Sequence, residues 1–182
     1  PGSGNSSLTN LVSNSGVVAA DVSGVGTDRR QLAASSYGGD KGIFGFGAAG
    51  SAENVTNKVS NSGVVASDTS GVGTARYYLA GAGYGGDKGI FGYGSTGSVT
   101  GITNLINNAG AVASDVSGVG TARLQLAASS YGGDKAMFAY GFTDQSLSMK
   151  NLVNSSGVVA SDVTGVGTAR GGLAAAGYSL SA

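Results

Sequence analysis

The heptapeptide Asp21-Val-Ser-Gly-Val-Gly-Thr27 decides the fold, because it returns with only conservative changes at 68–74, 115–121 and 162–168. The step is 47 residues each time. Tyr37, Tyr84, Tyr131 and Tyr178 keep that step, and so do Arg29, Arg76, Arg123 and Arg170. The block Tyr-Gly-Gly-Asp-Lys stands at 37–41, 84–88 and 131–135, while the fourth copy reads Tyr178-Ser-Leu-Ser-Ala182. Self-similarity at a fixed period of this length marks a repeat architecture, in which the repeat and not a domain boundary is the unit. The units begin near residues 8, 55, 102 and 149, so 8–182 reads as one domain.

Each unit has a β pattern. Residues 55–59 alternate around Asn57, and 63–67 form a β-branched run after an Asn-Ser-Gly turn signal. Arg76-Tyr-Tyr-Leu-Ala-Gly-Ala-Gly83 and Lys88-Gly-Ile-Phe-Gly-Tyr-Gly94 supply two more runs, separated by Gly-Gly-Asp. Short apolar runs between Gly, Asn, Ser and Asp clusters are strand and turn signals, and no window carries a helical stripe. Four short antiparallel strands per 40–50 residues is the signature of a β-propeller blade. A parallel β-helix or a trimeric fibre is the architectural competitor.

The order of elements resembles a kelch-like propeller repeat. Thr74-Ala75-Arg76 matches the Thr-x-Arg approach to the innermost strand. The resemblance then implies 76–83 as the inner strand, 88–94 as the second, 55–61 as the third and 63–69 as the outer one. Where such repeats carry a double Gly and a Tyr/Trp pair, this chain has Gly45-Phe46-Gly47, Gly92-Tyr93-Gly94 and Tyr140-Gly141, and no Trp. The fold expected is all-β, a propeller of four four-stranded blades. Its closing blade would be built from both termini, as a monomeric ring or as half of a two-chain ring of eight blades. The chain is six residues short of four units, and the shortfall matches 42–47, a second strand. The closing blade would therefore lack one strand and leave a slot for a peptide strand or for another copy of the chain.

Small inner-strand residues such as Leu79-Ala-Gly-Ala-Gly83 suit a crowded axis, while Ile43/Phe44, Ile90/Phe91 and Met137/Phe138 suit the space between blades. Gly accounts for 35 of 182 residues. Residues 1–7 read as a flexible linker or expression scar and lack a signal-peptide pattern.

Composition narrows the function. There is no His or Cys, which removes Ser-His-Asp and Cys-His nucleophile systems, zinc fingers and disulfides. Ten basic and ten acidic residues give no basic surplus for nucleic acid or an anionic membrane. No apolar run reaches the length of a bilayer span. Glu53 is the single Glu, so a paired-carboxylate enzyme would need Asp residues from different repeats. One Asp per heptapeptide is too few for calcium. The expectation is a non-enzymatic chain without metal or cofactor, and the absence of Cys leaves its compartment open.

Two residue sets are candidates for binding. Arg29, Arg76, Arg123 and Arg170 would form a ring at a channel mouth for an anionic ligand. Alternatively, each would bridge to the Asp eight residues earlier or to a neighbouring blade. Tyr37, Tyr84, Tyr131 and Tyr178 would line glycan or peptide pockets between blades, or pack the interfaces. The pairs Asp40-Lys41, Asp87-Lys88 and Asp134-Lys135 read as solvated turn residues. The function expected is a binding or structural scaffold for a protein, a peptide strand or a glycan. A symmetric engineered or reconstructed repeat without a ligand is the alternative.

Overall fold

The Gly-Gly-Asp stretches form the hairpins around which each unit is built. Gly38 and Gly39, with φ of 59° and 80°, occupy left-handed backbone that L side chains rarely adopt, and the same pair recurs at Gly85/Gly86 and Gly132/Gly133. A computed structural model describes residues 4–177; Tyr178 lies outside that range. The described chain is all-β. Its nine strands are β1 (Ala33–Tyr37), β2 (Lys41–Ala48), β3 (Ala52–Val59), β4 (Ala80–Tyr84), β5 (Lys88–Gly92), β6 (Thr103–Ile106), β7 (Ala127–Tyr131), β8 (Lys135–Ala139) and β9 (Lys150–Val153). They make three antiparallel sheets in the orders β1-β2-β3, β4-β5-β6 and β7-β8-β9.

The expected fourth strand is present in each unit only as single backbone bridges. Thr56 pairs with Thr69 and Val59 with Val65, and the equivalents are Thr103 with Val116, Ile106 with Val112, Lys150 with Val163 and Val153 with Val159. The ladder between them is interrupted for a chemical reason. The Asn57 amide donates to the Ala66 carbonyl at 3.1 Å, which puts a side chain where a backbone N–H would stand. Asn104 and Asn151 repeat this on Ala113 and Ala160, both at 3.0 Å. Residues 8–22 form the corresponding hairpin of the first unit, bridged at Thr9–Val22 and Val12–Val18. The closing blade expected from both termini is not formed: among the described residues, no backbone pairing joins this hairpin to 173–177.

The inner run also begins later than the sequence suggests. Tyr78 has φ of 56°, as do Gln31 (57°) and Gln125 (52°) at the same step, so 76–79 approaches the strand without joining it. The bend lets equivalent residues of successive units bond through their backbones. Tyr78 N donates to Gln31 O, Gln125 N to Tyr78 O and Gly172 N to Gln125 O, at 2.9–3.0 Å.

The core lies between sheets. One cluster joins Tyr37, Ile43 and Phe46 of the first sheet to Leu79, Phe91 and Ile106 of the second; another joins Ile90 and Tyr93 to Leu126, Phe138 and Val153. Phe91 meets Phe46 edge-on at 5.4 Å, and Phe138 meets Tyr93 at 5.1 Å. Both rings lie over a glycine: a Cβ on Gly45 would stand 2.8 Å from Phe91, and one on Gly92 would stand 2.7 Å from Phe138. At the equivalent position of the third sheet, where no such ring arrives among the described residues, the chain carries Ala139. Replacing Gly92 by Ala should therefore destabilise by about 1–3 kcal/mol through overpacking, read as a lower midpoint in denaturant melts.

Candidate functional site

Three arginines stand at equivalent positions of successive units and share most of their partners. Arg76 and Arg123 are fully buried and Arg29 nearly so. The Arg76 Nε donates to Tyr93 O at 2.9 Å, one terminal nitrogen to Thr74 O at 3.1 Å and the other to Asn104 Oδ1 at 2.7 Å. Asn104 passes the polarity outward, donating to Asp115 Oδ1 at 2.9 Å. Asp115 also accepts from the Thr74 amide at 3.1 Å and the Thr74 hydroxyl at 2.6 Å. Arg29 repeats the pattern with Asn57 and Asp68, its guanidinium 3.7 Å from the carboxylate. Arg123 donates to Tyr140 O, Thr121 O and Phe138 O.

The preceding unit closes the guanidinium's other side. Arg76 lies 4.2 Å above the Phe46 ring, Arg123 4.4 Å above Tyr93 and Arg170 4.1 Å above Tyr140. Those rings reach the interface because Phe46, Tyr93 and Tyr140 adopt φ of 60–62°, each followed by a glycine at φ of 105–111°. At Phe46 this bulge shifts the β2–β3 register between Gly45 and Gly47. The arginines thus stack on rings of the preceding unit.

The partner carboxylate needs correction. The Asp eight residues before each Arg is not its partner: Asp68, which precedes Arg76, accepts from Thr27 and Asn57. The partner of Arg76 is Asp115, further along the chain, because 74–76 crosses into the next sheet before its own third and outer segments are laid down. Asn57 and Asn104, which the sequence reading passes over, carry the link, while Asn151 holds Asp162 but bonds no arginine among the described residues. Their signal is the same step of 47 residues, with Asn10 as the first of the series.

Burial keeps Arg29, Arg76 and Arg123 from forming an open anion-binding ring, and Arg170 alone of the four is exposed. The tyrosines also pack. Tyr37 lies against Gly110 in the turn outside the second sheet, where a Cβ would stand 2.7 Å from its ring, and Tyr84 lies likewise against Gly157 outside the third sheet at 2.8 Å. Tyr131 is half-buried. The Asp-Lys pairs are exposed, with N–O distances of 2.7, 3.0 and 3.1 Å. Small residues of all four inner segments, among them Ser36, Gly83, Ser130 and Gly177, line an open cavity of about 260 Å³.

Electrostatics follow from this packing. Burial lowers the Arg76 guanidinium to about 10 while Asp115 pulls it upward, so it is charged at neutral pH. Burial alone would raise the Asp115 carboxyl, but bonds from Thr74 and Asn104 and the charge of Arg76 together hold it below its ordinary value. Asp68 and Asp162 behave alike. A carboxylate with a depressed folded pKa contributes stability that is present above its unfolded value near 3.8 and is lost as pH falls through the folded value. The melting temperature should accordingly fall steeply below about pH 4, and Asp115→Asn should flatten that fall.

Truncating Arg76 to Ala strands Tyr93 O and Asn104 Oδ1 in the interior, for an expected loss on the order of 3 kcal/mol in urea melts. Arg76→Lys should not restore it, since an ammonium cannot serve three directions and stack. Exposed Arg170→Ala should cost less than about 1 kcal/mol.

Scanned against protein-family models and searched against curated proteins, the chain matches none.

Proposed function

We propose that the chain is a non-enzymatic structural scaffold of kelch-like kind, its units being blades of a β-propeller arranged side by side about the small-residue cavity. One observation carries the reading: the recurring charged and aromatic side chains that could have made a site are directed at the neighbouring unit. Arg76, Arg123, Phe46, Tyr93, Tyr37 and Tyr84 are all buried between sheets. The blade reading is supported by the outer bridges, which extend each sheet to a fourth position, and by the inner segments sharing one cavity. It also accounts for Gly81, Gly83 and Gly89, which leave room for Phe91 and for Ser35 and Ser36 of the preceding inner strand.

A lectin-like reading finds less support, because the faces of Tyr37 and Tyr84 that would stack on a sugar are covered by the next sheet's outer turn. Solution scattering with mass determination tests the scaffold. The expected result is a single species whose profile fits sheets stacked around a low-density axis. A profile of a rod of parallel coils would refute it. In thermal-shift assays a glycan panel should move the melting temperature by less than about 1 °C, whereas saturating stabilisation would identify a binder.

A further inference from the structure

The first unit presents a face that differs from every internal interface in one respect. Between the second and third units, β5 lies on β6 with Gly89 opposite Ile106, Ile90 opposite Leu105, Phe91 opposite Asn104 and Gly92 opposite Thr103. The next residue, Tyr93, donates its amide to Ile102 O and turns its ring under Arg123. Stepping back two units, the receiving positions are Val12, Leu11, Asn10, Thr9 and Leu8, and the arginine is Arg29. Among the described residues, the inward edge of 8–12 pairs with no strand, and no ring lies over Arg29, although Arg76, Arg123 and Arg170 each have one at 4.1–4.4 Å.

The consequence is visible in burial. Val12 is 64% exposed, whereas its counterparts Ile106 and Val153 are 0% exposed. Leu8, Val25, Leu32, Phe44 and the Arg29 guanidinium line a mainly apolar cavity of about 210 Å³ beside this edge. Arg29 is 6% exposed, and its Nε has no hydrogen-bond partner. Phe44 is half-buried there, while its equivalents Phe91 and Phe138 are fully buried over a glycine and against an aromatic ring.

We propose that this edge and cavity form an acceptor site for an extended strand from another protein, of the form small–aliphatic–Phe–Gly–aromatic–Gly. The strand would pair with Val12 to Thr9 by backbone bonds. Its Gly would take the Phe44 ring, and its terminal aromatic would enter the cavity beneath Arg29. This is strand addition to an open sheet edge, with main-chain bonds supplying affinity and alternate side chains supplying specificity. A second copy of the chain is a poor donor, because each of its strands of this pattern (β2 and β5) is the central strand of a sheet. The inference rests on the scaffold reading and names the kind of partner that scaffold would hold.

The test is fluorescence anisotropy with a labelled peptide of residues 87–94, measured on the whole chain. Saturable one-to-one binding is expected, with affinity falling about tenfold or more when the peptide's Phe and Tyr become Ala, since aromatic anchors dominate such interfaces. Val12→Lys, at an exposed position, should weaken binding by a similar factor without moving the melting temperature. An Arg29→Ala variant that still folds should lose binding too. No binding, binding indifferent to the two aromatics, or self-association in place of peptide binding would each overturn the proposal. If scattering meanwhile still shows stacked sheets around an axis, the scaffold reading stands and only the acceptor site fails.

Discussion

A buried guanidinium between two units is the constraint on which the rest depends. An unsatisfied charge in a protein interior is prohibitive, so each buried Arg must find acceptors from more than one direction at once. For Arg76 these are two backbone carbonyls, an asparagine oxygen and an aromatic face. The formal counter-ion, Asp115, is reached through Asn104 and not by direct contact. The charge is thus held mainly by oriented dipoles, with the carboxylate fixing the asparagine that faces it. Thr74 completes the circuit by binding Asp115 while its own carbonyl accepts from Arg76, so linker, third strand and outer segment are fixed together.

That arrangement explains an otherwise unfavourable backbone. Phe46, Tyr93 and Tyr140 sit in left-handed conformations, which cost about 1–3 kcal/mol each for residues with side chains. A cation–π contact of about 0.5–2 kcal/mol would not cover this by itself. For Phe46 and Tyr93, full burial of the ring contributes about 1.5–3 kcal/mol more, and together the two make the bulge favourable. The glycine after each ring is needed as well: a Cβ on Gly47 would stand 2.7 Å from Arg30 O and one on Gly94 2.7 Å from Tyr77 O, in the segment leading into the same sheet's inner strand.

Much of this was legible in the sequence where a residue's role depends on its own unit. The Gly-Gly-Asp hairpins, the strand class and the use of small residues on the inner edge follow from local turn chemistry and composition. The direction of each Arg toward a neighbour follows from the identical step. What the sequence hid depends on placement in space. Nearness along the chain selects Asp68 for Arg76, but the crossing between sheets delivers Asp115. An aromatic between glycines reads as strand, and nothing local shows that Tyr93 must leave the ladder to serve Arg123. Asn57 looks like a polar residue on an exposed face, yet it replaces a rung of the outer ladder.

The backbone bonds between units run in opposing senses. At Tyr78 and Gln125 the later unit donates to the earlier one; at Gly38, Gly47, Gly85 and Gly94 the earlier unit donates to the later. Each junction therefore reads like a keyed connector, with donors and acceptors alternating across its face. Sliding one unit by a single residue would set donor against donor and turn side chains to the wrong face, a penalty that apolar area alone would not impose. Recognition between units is thereby encoded in the main chain, which leaves the side chains at the outer turns free to diverge without loss of alignment.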